Sequence, residues 1–200
     1  LPGRVAGSRR VSHASADGGR DKLHDVGTLL EALPYIQRYK GKTIVVKLGG
    51  ELVERREALV SIAGDLTLLS LVGVRVIVVH GGGPQADKLS ERLGVTPQHV
   101  QGRRITDDQA LEVAKMVFAG SINLEVISAL RARGLRAVGL SGAAGDIIRA
   151  ERRPPRTMTD PVTGTSREVD FGHVGDVRSV DTRLLSLMSD SGYLPVVACL

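Results

Sequence analysis

The stretch Thr43–Gly50, TIVVKLGG, passes from β-branched residues through a lysine into two glycines. Its apolar part is typical of a buried strand. A second run, VIVVHGGG at 76–83, ends in the same way, and helical periodicity follows the two runs at about 55–71 and 84–93. Strands joined by helices of this length predict an α/β fold with a mainly parallel central sheet and helices on both faces.

The same alternation is predicted for the rest of the chain. Thr106 and Gln109 suit the capping box of a helix that ends before Gly120, and a second helix is predicted at about 121–133. The charged stretch 147–180 has short β-like pieces and is predicted to leave the sheet as hairpins. The remaining predictions are a strand at 136–141, a helix at 181–191 and a strand at 194–199.

The segment before the first strand divides into two parts. Residues 1–25 form a basic tail that is rich in Gly, Ser and Arg and is predicted to be disordered. Its first part, 1–16, also has the composition of a transit-peptide remnant, which would imply an organelle. Residues 26–42 predict a helix with Thr28 as N-cap and a disturbance at Pro34.

Composition narrows the class of protein. The 200 residues are 42% hydrophobic, contain one cysteine (Cys199) and carry a net charge of +5, while only 2% are aromatic. One cysteine excludes a disulfide within the chain and a cysteine metal cluster, and it fits a cytoplasmic location. Few aromatics disfavour a nucleic-acid partner. No apolar run reaches the roughly 18 residues of a membrane span, so no membrane segment is predicted.

The two glycine runs predict an anion site. Carboxyl ends of parallel strands meet at one edge of a sheet, where ligands bind. Gly49 and Gly50 follow the first strand, and Gly82 and Gly83 follow the second, just before a helix whose first turn holds Pro84. Glycine exposes backbone N–H groups, and the helix dipole favours an anion. A tight turn without a ligand, the alternative, requires only one glycine.

Lys47 is the one charge inside the first apolar run. Burying an uncompensated lysine is costly, so its ammonium is expected to reach an anion at the strand end. The alternative is a lysine of an edge strand that extends into water.

Two other nucleotide motifs fit less well. GGGPQA at 81–86 satisfies a loose dinucleotide pattern, but an acidic residue at the end of a following strand is missing. GKT at 41–43 lacks the first glycine of a P-loop and follows a helix instead of a strand.

Five motifs in series carry a family resemblance: IVVKLGG, VIVVHGGGPQADKL, GRRITDDQALEVAKMVFAGSINLEVISAL, AVGLSG and FGHVGDV. Over about 26–200 they resemble the acetylglutamate kinases of the amino-acid kinase family. The resemblance implies a three-layer αβα sandwich in a domain at 43–200. It also implies ATP-dependent phosphorylation of the γ-carboxylate of N-acetyl-L-glutamate, the second step of arginine biosynthesis.

The resemblance also assigns residues. It implies that Lys47 stabilises the transferring phosphoryl group, and that Gly82, Gly83 and Arg104 bind N-acetyl-L-glutamate. Gly50, with Gly49 beside it, corresponds to the residues that bind ATP phosphates. Mg²⁺ would be carried by ATP, and no resident metal is implied.

Assembly and regulation are implied by the helix at 26–42. It resembles the extension of arginine-sensitive members, which predicts feedback inhibition by arginine and a homo-oligomer, either a dimer or a hexamer built from dimers. Ala143 and Ala144 replace residues that are often polar in relatives.

The family's second phosphoryl-stabilising lysine and most of its ATP half would follow residue 200. The chain is therefore expected to be a fragment that is inactive alone. Two alternatives stay open: the kinase-like domain of an acetylglutamate synthase, and a non-catalytic regulatory module of the same fold.

Overall fold

The structure is a computed structural model that describes the backbone of residues 18–200 and the side chains of residues 26–200. One compact unit comprises Gly41–Leu200, and a separate unit ends at Lys40. The greater part of the tail that the sequence predicts to be disordered, residues 1–17, lies outside the described residues.

The first described helix is α1 (Gly18–Tyr39), which begins earlier than the predicted start at residue 26. The apolar spacing that defines the helix already begins at Leu23, within the segment assigned to the tail. Thr28 therefore lies in the helix interior, so its prediction as N-cap is wrong. The helix also continues through Pro34.

The second unit alternates strands and helices in the predicted order, with bounds within about two residues of most predictions. Its strands are β1 (Thr43–Leu48), β2 (Arg75–His80), β3 (Gln98–Val100), β4 (Arg103–Ile105), β5 (Ala137–Ser141), β6 (Ile148–Arg152), β7 (Arg156–Thr159), β8 (Ser166–Val169), β9 (Gly175–Val180) and β10 (Leu194–Ala198). Its helices are α2 (Gly50–Glu54), α3 (Arg56–Leu71), α4 (Gly83–Arg92), α5 (Asp108–Ala114), a π-helical segment (Lys115–Ile122), α6 (Asn123–Ala132), a 3₁₀ turn (Ala144–Asp146) and α7 (Arg183–Asp190).

The central sheet has the strand order β1-β2-β10-β5, and every neighbouring pair is parallel. All four carboxyl ends therefore lie at one edge. Away from this sheet, three antiparallel pairs form: β3 with β4, β6 with β9, and β7 with β8. The last two pairs account for the stretch that the sequence predicts to leave the sheet as hairpins.

The first face of the sheet carries the larger core, because α3 and α6 cover it. Val78 and Val196 of the central strands and Val126 of α6 are fully buried there. The remaining buried members of this cluster include Leu48, Leu59, Ala63, Leu66, Val76, Val113, Val117, Ile122, Leu130 and Leu194.

The second face is covered by α7 and carries a smaller cluster. Ile77 and Val197 of the sheet pack there with Leu185 of α7 and with Ile147. Helices thus lie on both faces, which gives the three-layer αβα arrangement. Val45 of the edge strand β1 is 61% exposed on this second face.

Helix continuity differs from the prediction at Gly120. Asp108–Ala132 is one helical stretch of 25 residues, because the π-helical segment joins α5 to α6 across this glycine. A glycine inside a helix costs only about 1 kcal/mol, and the buried residues Val117 and Ile122 on either side outweigh that cost.

This joined stretch is long and apolar enough to cross a membrane by length and composition. Its side chains Val113, Val117, Ile122, Val126 and Leu130 belong to the core cluster on the first face. Core packing therefore accounts for its apolar composition.

The start of α5 is shifted by one residue from the prediction. Asp107, not Thr106, is the N-cap, and its Oδ1 accepts a hydrogen bond of 2.8 Å from the Ala110 N–H. A carboxylate also complements the positive end of the helix dipole better than a hydroxyl does. Thr106 instead pairs with Gly172 in an isolated parallel bridge.

Candidate active site

The two glycine loops meet at the carboxyl edge of the sheet. A Cβ atom on Gly50 would lie 2.9 Å from Pro84 Cδ and 3.4 Å from Gly82 Cα. The Gln85 side chain secures the contact, because its Nε2 donates a 2.6 Å hydrogen bond to the Gly50 carbonyl. The loop after β1 therefore packs directly on the first turn of α4.

Gly82 is the N-cap of α4 and has no room for a side chain. A Cβ atom there would lie 2.2 Å from Ile122 Cδ1 and 2.9 Å from Phe118 Cδ1, both in the π-helical segment. Within the described part of the chain, the Gly82 N–H donates to no protein acceptor. A free N–H at the start of a ten-residue helix is suited to an anion.

Arg104 of β4 lies against the start of α4. Its Nη2 donates a 2.5 Å hydrogen bond to the Gly83 carbonyl and lies 2.6 Å from Asp87 Oδ1. The side chain is only 15% exposed. Its Nε is buried and has no acceptor among the described residues. The guanidinium is thus held in place while keeping donors for a further partner.

Lys47 lies at the same edge but is exposed, so the prediction that a buried strand carries it is wrong. The reason is that β1 is an edge strand of the described sheet, with its second face open. Lys47 is in register with Val79 of β2, on the same face as Val197 and, two residues later, Cys199. Lys47 therefore lies on the second face of the sheet, one residue before the carboxyl end of β1.

A cavity of about 660 Å³ opens beside the glycine loops. Gly83 and Arg104 line it on one side, and Phe118 of the π-helical segment lines it on another. Phe171 and His173, from the loop between β8 and β9, also line it. Cavities of this size hold small molecules.

The loop between β8 and β9 is fastened to the segment before α5. The His173 N–H donates to the Thr106 carbonyl at 2.7 Å, and the Thr106 N–H donates to the Phe171 carbonyl at 2.9 Å. Gly172, between them, has φ 72°, and a Cβ atom there would lie 2.2 Å from the Thr106 oxygen. Only glycine fits this position.

The cavity wall is basic. Arg103, Arg104, Arg153 and His173 line it, with Asp87 as the acidic residue among the lining groups. Arg153 also donates a hydrogen bond to Asp176, which does not line the cavity. The guanidinium lowers the pKa of the Asp176 carboxyl. A basic cavity of this kind favours an anionic ligand.

Beneath the second glycine loop lies a buried polar pair. His80 is fully buried and Asn123 is 4% exposed. The Asn123 Nδ2 lies 3.0 Å from His80 Nε2 and donates to the Val196 carbonyl at 3.2 Å. The other ring nitrogen, His80 Nδ1, lies 3.0 Å from the Gly81 carbonyl oxygen. Burial lowers the pKa of His80, which keeps the ring neutral near pH 7.

The structure brings Gly50, Gly82, Gly83 and Arg104 into direct contact and places Gly49 as the N-cap of α2. Sequence reasoning missed Asp87, although it lies one helical turn after Gly83 on the same side of α4. It also missed the pair of His80 and Asn123. A buried asparagine gives no signal in sequence without the strand that it faces.

Metal ligands are not grouped here. Among the residues with described side chains, no three His, Cys, Asp or Glu are placed to hold one metal ion.

Comparison with known proteins agrees with this geometry. Residues 42–200 match the amino acid kinase family. The chain is 47% identical over 171 residues to an acetylglutamate kinase of Rhizorhabdus wittichii, covering 86% of this chain and 56% of the relative. It is 43% identical over 176 residues to that of Symbiobacterium thermophilum, covering 88% and 58%. The chain thus spans less than two thirds of the length of these relatives.

A solved structure is also similar. The N-acetylglutamate synthase from Neisseria gonorrhoeae, complexed with coenzyme A and N-acetyl-glutamate, superposes with a TM-score of 0.64 at 28% identity. The match covers 86% of this chain and 37% of the synthase. Since the family match extends over most of the described residues and the parallel sheet carries its glycine loops at the expected edge, the chain belongs to the amino acid kinase family.

Proposed function

We propose that this protein is an acetylglutamate kinase, which transfers the γ-phosphoryl group of ATP to the γ-carboxylate of N-acetyl-L-glutamate. The observation that carries the proposal is the junction of the two glycine loops beside Arg104, at one end of a basic cavity. Relatives that are 39% to 47% identical and bear the name acetylglutamate kinase support it.

The chemistry requires little beyond alignment and charge neutralisation. A substrate carboxylate is already ionised near neutral pH, so no general base is needed. Transfer forms a bond between a carboxylate oxygen and the γ-phosphorus and breaks the bond to ADP. In the proposal, the Gly82 and Gly83 N–H groups hold the substrate, and Lys47 neutralises charge that develops on the phosphoryl group.

The residues of the first loop fit an ATP phosphate. The absence of side chains at Gly49 and Gly50 lets the backbone come close to a phosphate, and Gly50 already packs against α4. ATP supplies the phosphoryl group when it is bound. We propose that Mg²⁺ arrives with ATP, as the resemblance to the family implies.

Arg104 is proposed to bind a carboxylate of the substrate. Arg104→Ala is expected to raise the KM for N-acetylglutamate by about tenfold to a hundredfold while kcat changes less, because one charge-assisted contact is lost. Steady-state kinetics of the full-length gene product measure both constants.

Arg103→Ala is the matched comparison for this prediction. Arg103 precedes Arg104 in β4 and lines the same cavity, but it is exposed and no hydrogen bond to α4 holds it among the described residues. Its loss should raise KM by a much smaller factor. A larger KM effect from Arg103→Ala would mean that the roles of the two arginines are reversed.

The kinase-like domain of an acetylglutamate synthase is the second candidate. The similarity to the Neisseria gonorrhoeae synthase favours it, but that similarity is 28% against 39% or more for the kinases. The two candidates differ in the product: a synthase would acetylate glutamate from acetyl-coenzyme A and release no ADP. A regulatory module of this fold would bind the ligand and do neither.

Arginine is proposed as a feedback inhibitor that acts with α1. A synthase of this fold is known in complex with L-arginine. On α1, Leu29, Leu30 and Tyr35 are exposed, which suits a helix that contacts another subunit. We expect a hexamer in sedimentation and inhibition by arginine. A dimer whose activity is insensitive to arginine would contradict this proposal.

A further inference from the structure

We propose that Asn123 and His80 form a buried relay that sets the direction of the Gly81–Gly82 peptide and holds the Gly82 N–H as a fixed donor for an anionic ligand. The two side chains would then be positioning residues for the glycine loop. The relay runs from the carbonyl of Val196 to the loop itself.

The first step of the relay fixes the amide of Asn123. The Val196 carbonyl oxygen can only accept, so the group 3.2 Å from it must be the Asn123 amide nitrogen. Asn123 lies just after the π-helical segment, over β5. Its Oδ1 occupies space that a side chain at position 139 would need, since a Cβ atom on Gly139 would lie 1.9 Å from it. Because residue 139 is glycine, the space beside β5 is open to the Asn123 amide.

The second step fixes the tautomer of His80. The same Asn123 nitrogen lies 3.0 Å from His80 Nε2, and an amide nitrogen only donates. Nε2 must therefore be the unprotonated acceptor of a neutral ring. The proton then lies on Nδ1, which donates to the Gly81 carbonyl at 3.0 Å.

The third step turns the loop. The Gly81 carbonyl and the Gly82 N–H belong to one planar trans peptide and point in opposite directions. When His80 holds the carbonyl on its own side, the N–H faces away from the core. That N–H has no protein acceptor in the described residues, and it lies at the start of α4. The relay thus orients a donor that is left for a ligand.

The residues packed around the glycine loop restrict where it lies, whereas the relay sets the orientation of the Gly81–Gly82 peptide. Phe118 and Ile122 close one side of Gly82, and Gly50 and Pro84 lie on another. These contacts restrict the position of the loop, and the hydrogen bond from His80 holds the Gly81 carbonyl on the side of the imidazole. Removing the Asn123 donor would leave His80 free to adopt the other tautomer.

Nitrogen-15 NMR of the imidazole rings tests the relay in the unaltered protein. We expect His80 to show a protonated Nδ1 and an unprotonated Nε2. His99 and His173, which lie near Asp87 and Asp108, serve as internal references for exposed rings. A protonated Nε2 on His80 would overturn the proposal without any mutation.

Asn123→Asp tests the consequence for the loop. An ionised carboxylate only accepts hydrogen bonds, so Nε2 must then carry a proton. At a pH high enough to keep the ring neutral beside the new negative charge, Nδ1 is expected to be unprotonated and to release the Gly81 carbonyl. The Gly82 amide resonance should then shift, and the KM for N-acetylglutamate should rise by about tenfold, the loss expected for one hydrogen bond to a charged group. An unchanged Gly82 resonance beside a reversed tautomer would overturn the proposal.

Ser121→Ala is the control, because Ser121 lies two residues before Asn123 and, among the described residues, its hydroxyl donates only to the Val117 carbonyl. It should leave both the His80 tautomer and the Gly82 resonance unchanged. Naming N-acetylglutamate as the ligand rests on the proposed function, whereas the tautomer and the amide shift do not. A shifted Gly82 amide in a protein that releases no ADP would support the relay and contradict the kinase.

Discussion

Lys47→Ala is expected to lower kcat by about a hundredfold or more while the KM values of both substrates change little. Lys47 lies one residue before the carboxyl end of β1, close in sequence to the first glycine loop, and it forms no ion pair among the described residues. Its proposed partner is the charge that develops on the phosphoryl group during transfer. A group that acts mainly in the transition state affects kcat more than KM.

Lys42→Ala is the matched control for this result. Lys42 is also exposed, but it directly precedes β1. It therefore lies at the amino ends of the parallel strands, whereas the glycine loops lie at their carboxyl ends. Steady-state kinetics of the full-length gene product should give a kcat close to that of the unaltered protein. A rise in KM without loss of kcat in Lys47→Ala would show that Lys47 binds the ground state instead.

Gly172→Ala is expected to destabilise the protein by about 2 to 5 kcal/mol. The left-handed backbone at φ 72° costs an alanine about 1 to 2 kcal/mol. Its Cβ atom would also lie 2.2 Å from the Thr106 oxygen, which belongs to the backbone and can move only with its segment. Relieving that overlap adds about 1 to 3 kcal/mol. Urea unfolding measures the loss in the free energy of unfolding.

Gly164→Ala separates the two contributions. Gly164 has nearly the same backbone angle, φ 70°, but no atom lies within 4 Å of the position of its Cβ. It should show the cost of the left-handed backbone alone, about 1 to 2 kcal/mol. Equal losses in the two variants would mean that the contact between the loop at 170–174 and Thr106 contributes nothing to stability.

The order of strands and helices follows from the sequence because its patterns are local. The β-branched runs before each glycine loop predict β1 and β2, and the helical periodicity between them predicts α3. The wrong predictions concern positions whose structure depends on contacts between residues far apart in sequence. Gly120 stays inside a helix because its neighbours fill the core on the first face, and Asp107 replaces Thr106 as N-cap because Thr106 pairs with Gly172.

The site is predicted in part. The glycines are predicted from their positions directly after strands. Arg104 is predicted because its motif, GRRIT, resembles that of the family. Three features need the folded chain: the contact of Gly50 with α4, the contact of Asp87 with Arg104, and the relay from Asn123 to His80. Each joins residues from different elements. Lys47 was predicted to lie in a buried strand, but β1 is an edge strand of the described sheet and Lys47 is exposed.

The proposed function is tested most directly by a coupled assay of ADP release from the full-length gene product, with ATP and Mg²⁺ present. N-acetyl-L-glutamate, free glutamate and aspartate are compared at equal concentration. We expect ADP release with N-acetyl-L-glutamate and little with the two free amino acids. No ADP release from the folded protein with any of the three, or equal release with free glutamate, would contradict it.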